Sequence, residues 1–205
     1  MNAREEHSVA AIVLAAGRSS RMGSGNKLLA PMKGKAIITR VVEVAIASGA
    51  HPIVVVTGFE AERIARTLSG LDITLVPNPD FAQGLSTSLR VGLNALPPKI
   101  EGALVLLGDM PLVQVSDLRA QIAAFAAKDR HAICIPVRRG KRGNPVLWGA
   151  SYFPEAKGLA GDTGAKRLIE IHRDHVVEVE ASSDGIFTDI DTEADLARLD
   201  TRPRG

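Results

Sequence analysis

Leu14-Ala-Ala-Gly17-Arg18-Ser-Ser-Arg21-Met22-Gly23-Ser-Gly25-Asn-Lys27 follows the apolar run Val9 to Leu14 and decides how the rest of the chain is read. The run has the composition of a buried strand, and the loop after it holds three glycines and three cations, with no acid. In an open parallel sheet, ligands sit beyond the carboxyl ends of the strands, so this loop is where a ligand is expected. Glycine lets backbone N–H groups approach phosphate oxygens, and Arg18, Arg21 and Lys27 offset their charge. Two familiar phosphate loops fail on spacing. Lys27 is followed by Leu28, which breaks the G-x-x-x-x-G-K-[ST] pattern, and Leu28 stands where a G-x-G-x-x-G needs its third glycine. The alternative, a solvated glycine-rich turn, is disfavoured by the position and by the purely cationic content. The loop is built for a polyanion.

Working outward, short apolar runs at residues 9–14, 53–57, 73–76, 103–107 and 132–137 read as buried strands. Between them, residues 36–48, 60–68, 86–96 and 116–128 repeat apolar side chains at three and four, as Ile37, Val41, Val44 and Ala45 do. Ser116 is expected to cap its helix, and Ser48-Gly49 to stop the first one. After Val137 come a basic loop from Arg138 to Arg142, a strand at 145–148, a helix at 163–172, a strand at 175–180 and a closing helix at 192–199. Apolar strands linked by helices imply a mostly parallel sheet covered on both faces. The expected fold is α/β: one doubly wound, Rossmann-like, three-layer domain over residues 1–205. Its ordered core runs from about 8 to 200, with a substrate-facing subregion at 138–175.

Composition narrows the function classes. With 25 Lys+Arg against 23 Asp+Glu, the net charge of +2 does not advertise a nucleic-acid or membrane partner. Aromatics at 3% argue against a base-stacking platform. No apolar run approaches the ~18 residues that span a bilayer. Glu5 and Glu6 offset Arg4, so the positive n-region of a signal peptide is missing. The single cysteine, Cys134, excludes an internal disulfide framework and a cysteine zinc cage, and reads as core within an apolar strand. A cytoplasmic enzyme is the expectation. The five histidines are dispersed, and His172 and His175 read as surface groups.

Five further motifs extend the first one: Gly84-Leu-Ser-Thr-Ser88-Leu, Gly108-Asp109-Met-Pro111, Gly143-Asn144-Pro145-Val-Leu, Gly161-Asp162-x-Gly164-Ala165 and Asp189-Ile190-Asp191-Thr192. With them the chain resembles, over nearly its whole length, the molybdopterin nucleotidyltransferases of the glycosyltransferase-A-like superfamily, and most of all their cytidylyltransferase branch. The resemblance implies Mg²⁺ held by Asp109 and Asp191, with Asp189 a weaker candidate, and Lys27, Arg18 and Arg21 at the phosphates. It places the nucleotide against Leu14, Ala15, Ala16, Gly17, Gly84, Ser88 and Gly108. On the acceptor side it points to Arg142, Asn144 and Asp162. Ordinary structural roles are the alternative: a carboxylate at a helix N-terminus for Asp191, a cap for Ser86 or Ser88, a solvated loop for the arginines.

The implied reaction moves CMP from CTP to the terminal phosphate of molybdopterin or molybdenum cofactor, releasing pyrophosphate. Related guanylyltransferases read Leu-Ala-Gly-Gly where this chain reads Leu14-Ala-Ala-Gly17; a methyl beside the base leaves less room for a purine, worth ~1–3 kcal/mol. GTP therefore stays open beside CTP. Three rivals remain: a transferase for another phosphorylated acceptor, a non-catalytic nucleotide- or pterin-binding chaperone serving a molybdoenzyme, and a nicotinamide-dependent oxidoreductase.

Overall fold

The computed structural model describes residues 8–18, 25–128, 131–159, 161 and 164–200. In chain order the elements are β1 (Val9–Ala15), β2 (Pro31–Met32), β3 (Lys35–Ala36), α1 (Ile37–Ala47), β4 (Ile53–Thr57), α2 (Ala61–Thr67), β5 (Thr74–Pro77), α3 (Leu85–Asn94) and β6 (Gly102–Leu107). Then follow α4 (Val115–Ala126), β7 (Ile133–Arg138), β8 (Lys141–Arg142), β9 (Val146–Gly149), α5 (Phe153–Lys157), α6 (Gly164–Ile171), β10 (Val176–Glu180) and α7 (Glu193–Asp200). The main sheet runs β10-β7-β9-β6-β1-β4-β5, with β8 folded onto β7. All its pairs are parallel except those made by β9 and β8. Among the described residues, no helix is long and apolar enough to cross a membrane.

Period-two alternation makes this an α/β fold with two covered faces. On β1, Val9, Ala11, Val13 and Ala15 join the core under α1, α2 and α4, while Ile12 and Leu14 join the core under α3, α5 and α6. Small side chains on β1 leave it fully buried between β4 and β6. Its carboxyl end is therefore fixed at the middle of the sheet edge, where the strand order reverses.

Three expectations are corrected. The run at 73–76 is not a buried strand: β5 forms the outer edge of the sheet, and Leu75 is 38% exposed. Ser116 does not cap α4, whose N-cap is Gln114 without a side-chain bond. Instead the Ser116 hydroxyl meets Ser182 Oγ at 3.0 Å, and Ser182 donates to buried Asp117 at 2.7 Å. Nor does Ser86 or Ser88 cap α3, because Gly84 holds that position and Thr87 Oγ1 donates to the Gly84 carbonyl. At the other end of α1 the expected stop holds: Ser48 is the C-cap and Gly49 has φ 90°.

Candidate active site

The ends of β1 and β6 meet so closely that only glycine fits between them. Gly108 N donates to the Leu14 carbonyl at 3.0 Å, and a Cβ on Gly108 would lie 2.9 Å from that same oxygen. This contact sets Asp109 beside the first loop. Asn26 shapes the return of that loop: its side chain accepts from Leu28 N at 3.1 Å and donates to the Phe59 carbonyl at 3.4 Å. Leu28 is buried, so Lys27 is held on a short turn with its side chain aimed across the sheet edge.

Lys27 Nζ lies 2.7 Å from Asp109 Oδ2 and 2.9 Å from Asp191 Oδ1. Burial pushes the Lys27 pKa down, but hydrogen bonds and charge from the two aspartates outweigh it, and the net shift is upward. Asp191 arrives at the end of a strap, residues 181–191, that crosses from β10. Ile190 N donates to the Asp109 carbonyl at 3.0 Å, which ties the two carboxylates together through the backbone. Behind them, Thr192 and Asp195 form a reciprocal cap on α7: Thr192 N donates to Asp195 Oδ2 and Asp195 N to Thr192 Oγ1. Thr192 thus precedes the last helix rather than starting it. Asp189 is exposed.

These residues fit a hard divalent cation. Two carboxylates converge on one point, and Asp109 Oδ1 is buried with no hydrogen-bond partner. Among the described residues, no group of three or more His, Cys, Asp or Glu side chains could hold a metal. The donor set is the one expected for Mg²⁺ or Mn²⁺ completed by phosphate and water.

Leu14, Ala15 and Ala16 are buried, while Gly17 and Arg18 are exposed. The Ala16 carbonyl accepts from Phe59 N, and the Arg18 guanidinium lies over the Phe81 ring, 5.4 Å from its centroid. Arg21 and Asp162 lie outside the described residues. Gly84 has φ 110° and ψ 174°, which turns the chain into α3. Ser88 is buried, and its oxygen accepts from Asn78 Nδ2 at 3.0 Å.

Between α3, β9 and α6, with Leu14 of β1 and Leu107 of β6 on its wall, opens a cavity of about 550 Å³. Leu14, Leu89, Leu107, Ile135 and Trp148 give it an apolar wall, and Arg142, Asn144, Lys166 and Glu170 stand among its polar groups. Trp148 thus lines the cavity. Arg142 is not a lone cation: its Nε donates to Glu178 at 2.8 Å. Likewise Arg138 donates to Asp184 and to the Ala181 carbonyl. Much of the basic loop fastens the chain to itself.

Two features were missed in the sequence. Asn78, 2% exposed, donates to Thr87 Oγ1 and Ser88 Oγ and accepts from Asp80 N, tying the end of β5 to α3. The strap contacts were the second. His172 and His175 stack 6.1 Å apart beside Tyr152, whose hydroxyl meets His175 Nδ1 at 2.5 Å; with His175 exposed and His172 half-buried, they form a small ring cluster at the surface.

Comparison with known proteins follows the same lines. A family model described as the MobA-like NTP transferase domain matches residues 11–177. The chain is 29% identical to the molybdenum cofactor cytidylyltransferase of Escherichia coli (strain K12), over 90% of this chain and 92% of that one. It is 27% identical to nicotine blue oxidoreductase of Paenarthrobacter nicotinovorans, over 93% and 96%. A Methanothermobacter nucleotidyl transferase superposes with a TM-score of 0.81 at 28% identity, over 93% of this chain and 95% of that chain. A manganese complex of Rv0371c from Mycobacterium tuberculosis H37Rv superposes with a TM-score of 0.74 at 27% identity, over 94% and 97%.

Proposed function

The chain belongs to the MobA-like NTP transferase family, and we propose that this nucleotidyltransferase moves CMP from CTP to the terminal phosphate of a pterin cofactor, with release of pyrophosphate. The observation that carries the reading is the meeting of Lys27, Asp109 and Asp191 after β1 and β6, the strands whose Leu14 and Leu107 also wall a cavity large enough for a heteroaromatic acceptor. A phosphate nucleophile is anionic near neutral pH, so no general base is needed. An acceptor oxygen forms a bond to the α-phosphorus, and the bond from α-phosphorus to the bridging oxygen breaks, its electron pair leaving with pyrophosphate.

Catalysis is positioning and charge stabilisation. Lys27, Arg18 and Arg21 neutralise the polyphosphate, and the backbone from Leu14 to Gly17 passes the base together with Gly84, Ser88 and Gly108. Asp109 and Asp191 would hold Mg²⁺, which when bound offsets charge on the phosphate oxygens. The apolar wall of the cavity receives the flat acceptor, with Arg142 and Asn144 on its polar side; Asp162 is assigned to the acceptor by the family motif alone. One nucleotidyltransferase domain suffices for this work, and a cytoplasmic setting suits its lone buried thiol. The identity to a cytidylyltransferase and the methyl of Ala16 support cytosine over guanine.

The test is pyrophosphate release by purified protein with Mg²⁺ and molybdenum-loaded pterin, offering CTP, GTP and ATP separately. Release is expected with CTP well above the others and to fall by orders of magnitude in Asp109→Ala. Release with GTP would keep the chemistry and overturn the Ala16 argument, which Ala16→Gly checks directly. No release with any nucleotide would overturn the proposed acceptor.

A further inference from the structure

Lys27 has two jobs that its position does not allow it to do at once. Its ammonium sits between Asp109 Oδ2 and Asp191 Oδ1, at hydrogen-bond distance from both. Those are the oxygens that the two aspartates direct to a common point, and Mg²⁺ bound between them needs oxygens at about 2.0–2.1 Å. The ammonium and the cation therefore claim the same space. The backbone gives Lys27 no room to withdraw as a unit, because Asn26 holds Leu28 N and the Phe59 carbonyl, and Leu28 is buried. Only the flexible side chain can move.

Charge decides when it moves. With Lys27 in place, two carboxylates face one positive charge. Adding a divalent cation while keeping Lys27 nearby leaves an excess of positive charge in a half-buried site, unless an anion joins them. A polyphosphate supplies that anion and gives the displaced ammonium a new partner. We propose that Lys27 occupies the metal cradle of the free protein and makes divalent-cation binding conditional on nucleotide binding. Lys27 is thus a gate as well as a phosphate ligand. This rests on the assignment of Asp109 and Asp191 as metal ligands, so the experiment separates the two ideas.

The measurement is Mn²⁺ binding to the full chain, read from loss of the free-ion electron paramagnetic resonance signal, without nucleotide. Wild type is compared with Lys27→Met and Lys27→Gln, which remove the charge, and with Lys27→Arg, which keeps a cation in the cradle. Circular dichroism confirms that each is folded. The proposal expects Mn²⁺ to bind either uncharged variant at least tenfold more tightly than wild type, with Lys27→Arg close to wild type. It also expects Asp109→Asn, made in the Lys27→Gln background, to abolish the gain. Equal Mn²⁺ affinity in wild type and both uncharged variants, still lost in Asp109→Asn, would overturn the gate and leave the metal site standing. Mn²⁺ binding that is insensitive to Asp109→Asn in every background would overturn the metal site, and the gate with it.

Discussion

Gly84 holds φ 110° where the chain turns from the end of β5 into α3, a conformation that a side chain with a Cβ rarely adopts. The turn is reinforced by Asn78, whose buried amide reaches Thr87 and Ser88 on the first turn of the helix. Gly84→Ala is therefore expected to cost about 1–2 kcal/mol of stability. It is also expected to raise the KM for nucleotide more than it lowers kcat, because it displaces the backbone assigned to the base. Denaturant unfolding and steady-state kinetics check both; an unchanged KM would remove Gly84 from the nucleotide site. Gly84 and Ser88 were legible as a motif. Asn78 was not, because nothing local in Pro77-Asn78-Pro79 shows that its amide is buried under a helix beginning seven residues later.

The strap between β10 and α7 has no apolar period and, apart from one 3-10 turn at Asp184–Phe187, no regular element of its own to announce it, yet it delivers Asp191. It is held at several points: Asn144 N donates to the Ile186 carbonyl, Ile190 N to the Asp109 carbonyl, Arg138 to Asp184, and Ser182 to Asp117. At Gly185 it runs against the backbone after Asp109, where a Cβ would sit 2.0 Å from the Leu112 carbonyl oxygen. No side-chain adjustment relieves a clash with backbone. Gly185→Ala should lift the strap, cost about 1–3 kcal/mol, and weaken Mn²⁺–nucleotide binding through Asp191. Gly158→Ala, whose Cβ would stand 3.4 Å from the nearest atom, is the matched control and should stay within about 0.5 kcal/mol of wild type. If both variants bind Mn²⁺ with nucleotide like wild type, the strap does not position Asp191. The same long-range logic explains β9. Its apolar run marks a strand at 145–148, but its place between β6 and β7 depends on partners some forty residues upstream in the case of β6.

All these pieces hang on one continuous sheet, and Cys134 lies inside it, on β7 between β10 and β9, with none of its surface exposed. Burial pushes its thiol from 9.0 up to about 11. The native thiol is thus both shielded and protonated, and labelling it requires opening of the sheet. A disulfide reagent at pH 8 should leave the native protein unmodified on the time scale of minutes and react at once with the unfolded chain. Because nucleotide and metal bind at the same sheet's edge, saturation with them should slow labelling as binding stabilises the fold, by roughly 100-fold at a ligand concentration of 100 Kd. The pH dependence has a definite sign. The unfolded thiol ionises first, so the unfolded state loses its proton at lower pH and gains stability as pH rises. Folding stability should fall between about pH 9 and pH 11, and Cys134→Ala should flatten that part of the decline after its own packing loss is subtracted. Rapid labelling of the native protein that ligand does not slow would show that β7 opens independently of the site, and that the sheet does not couple its two halves.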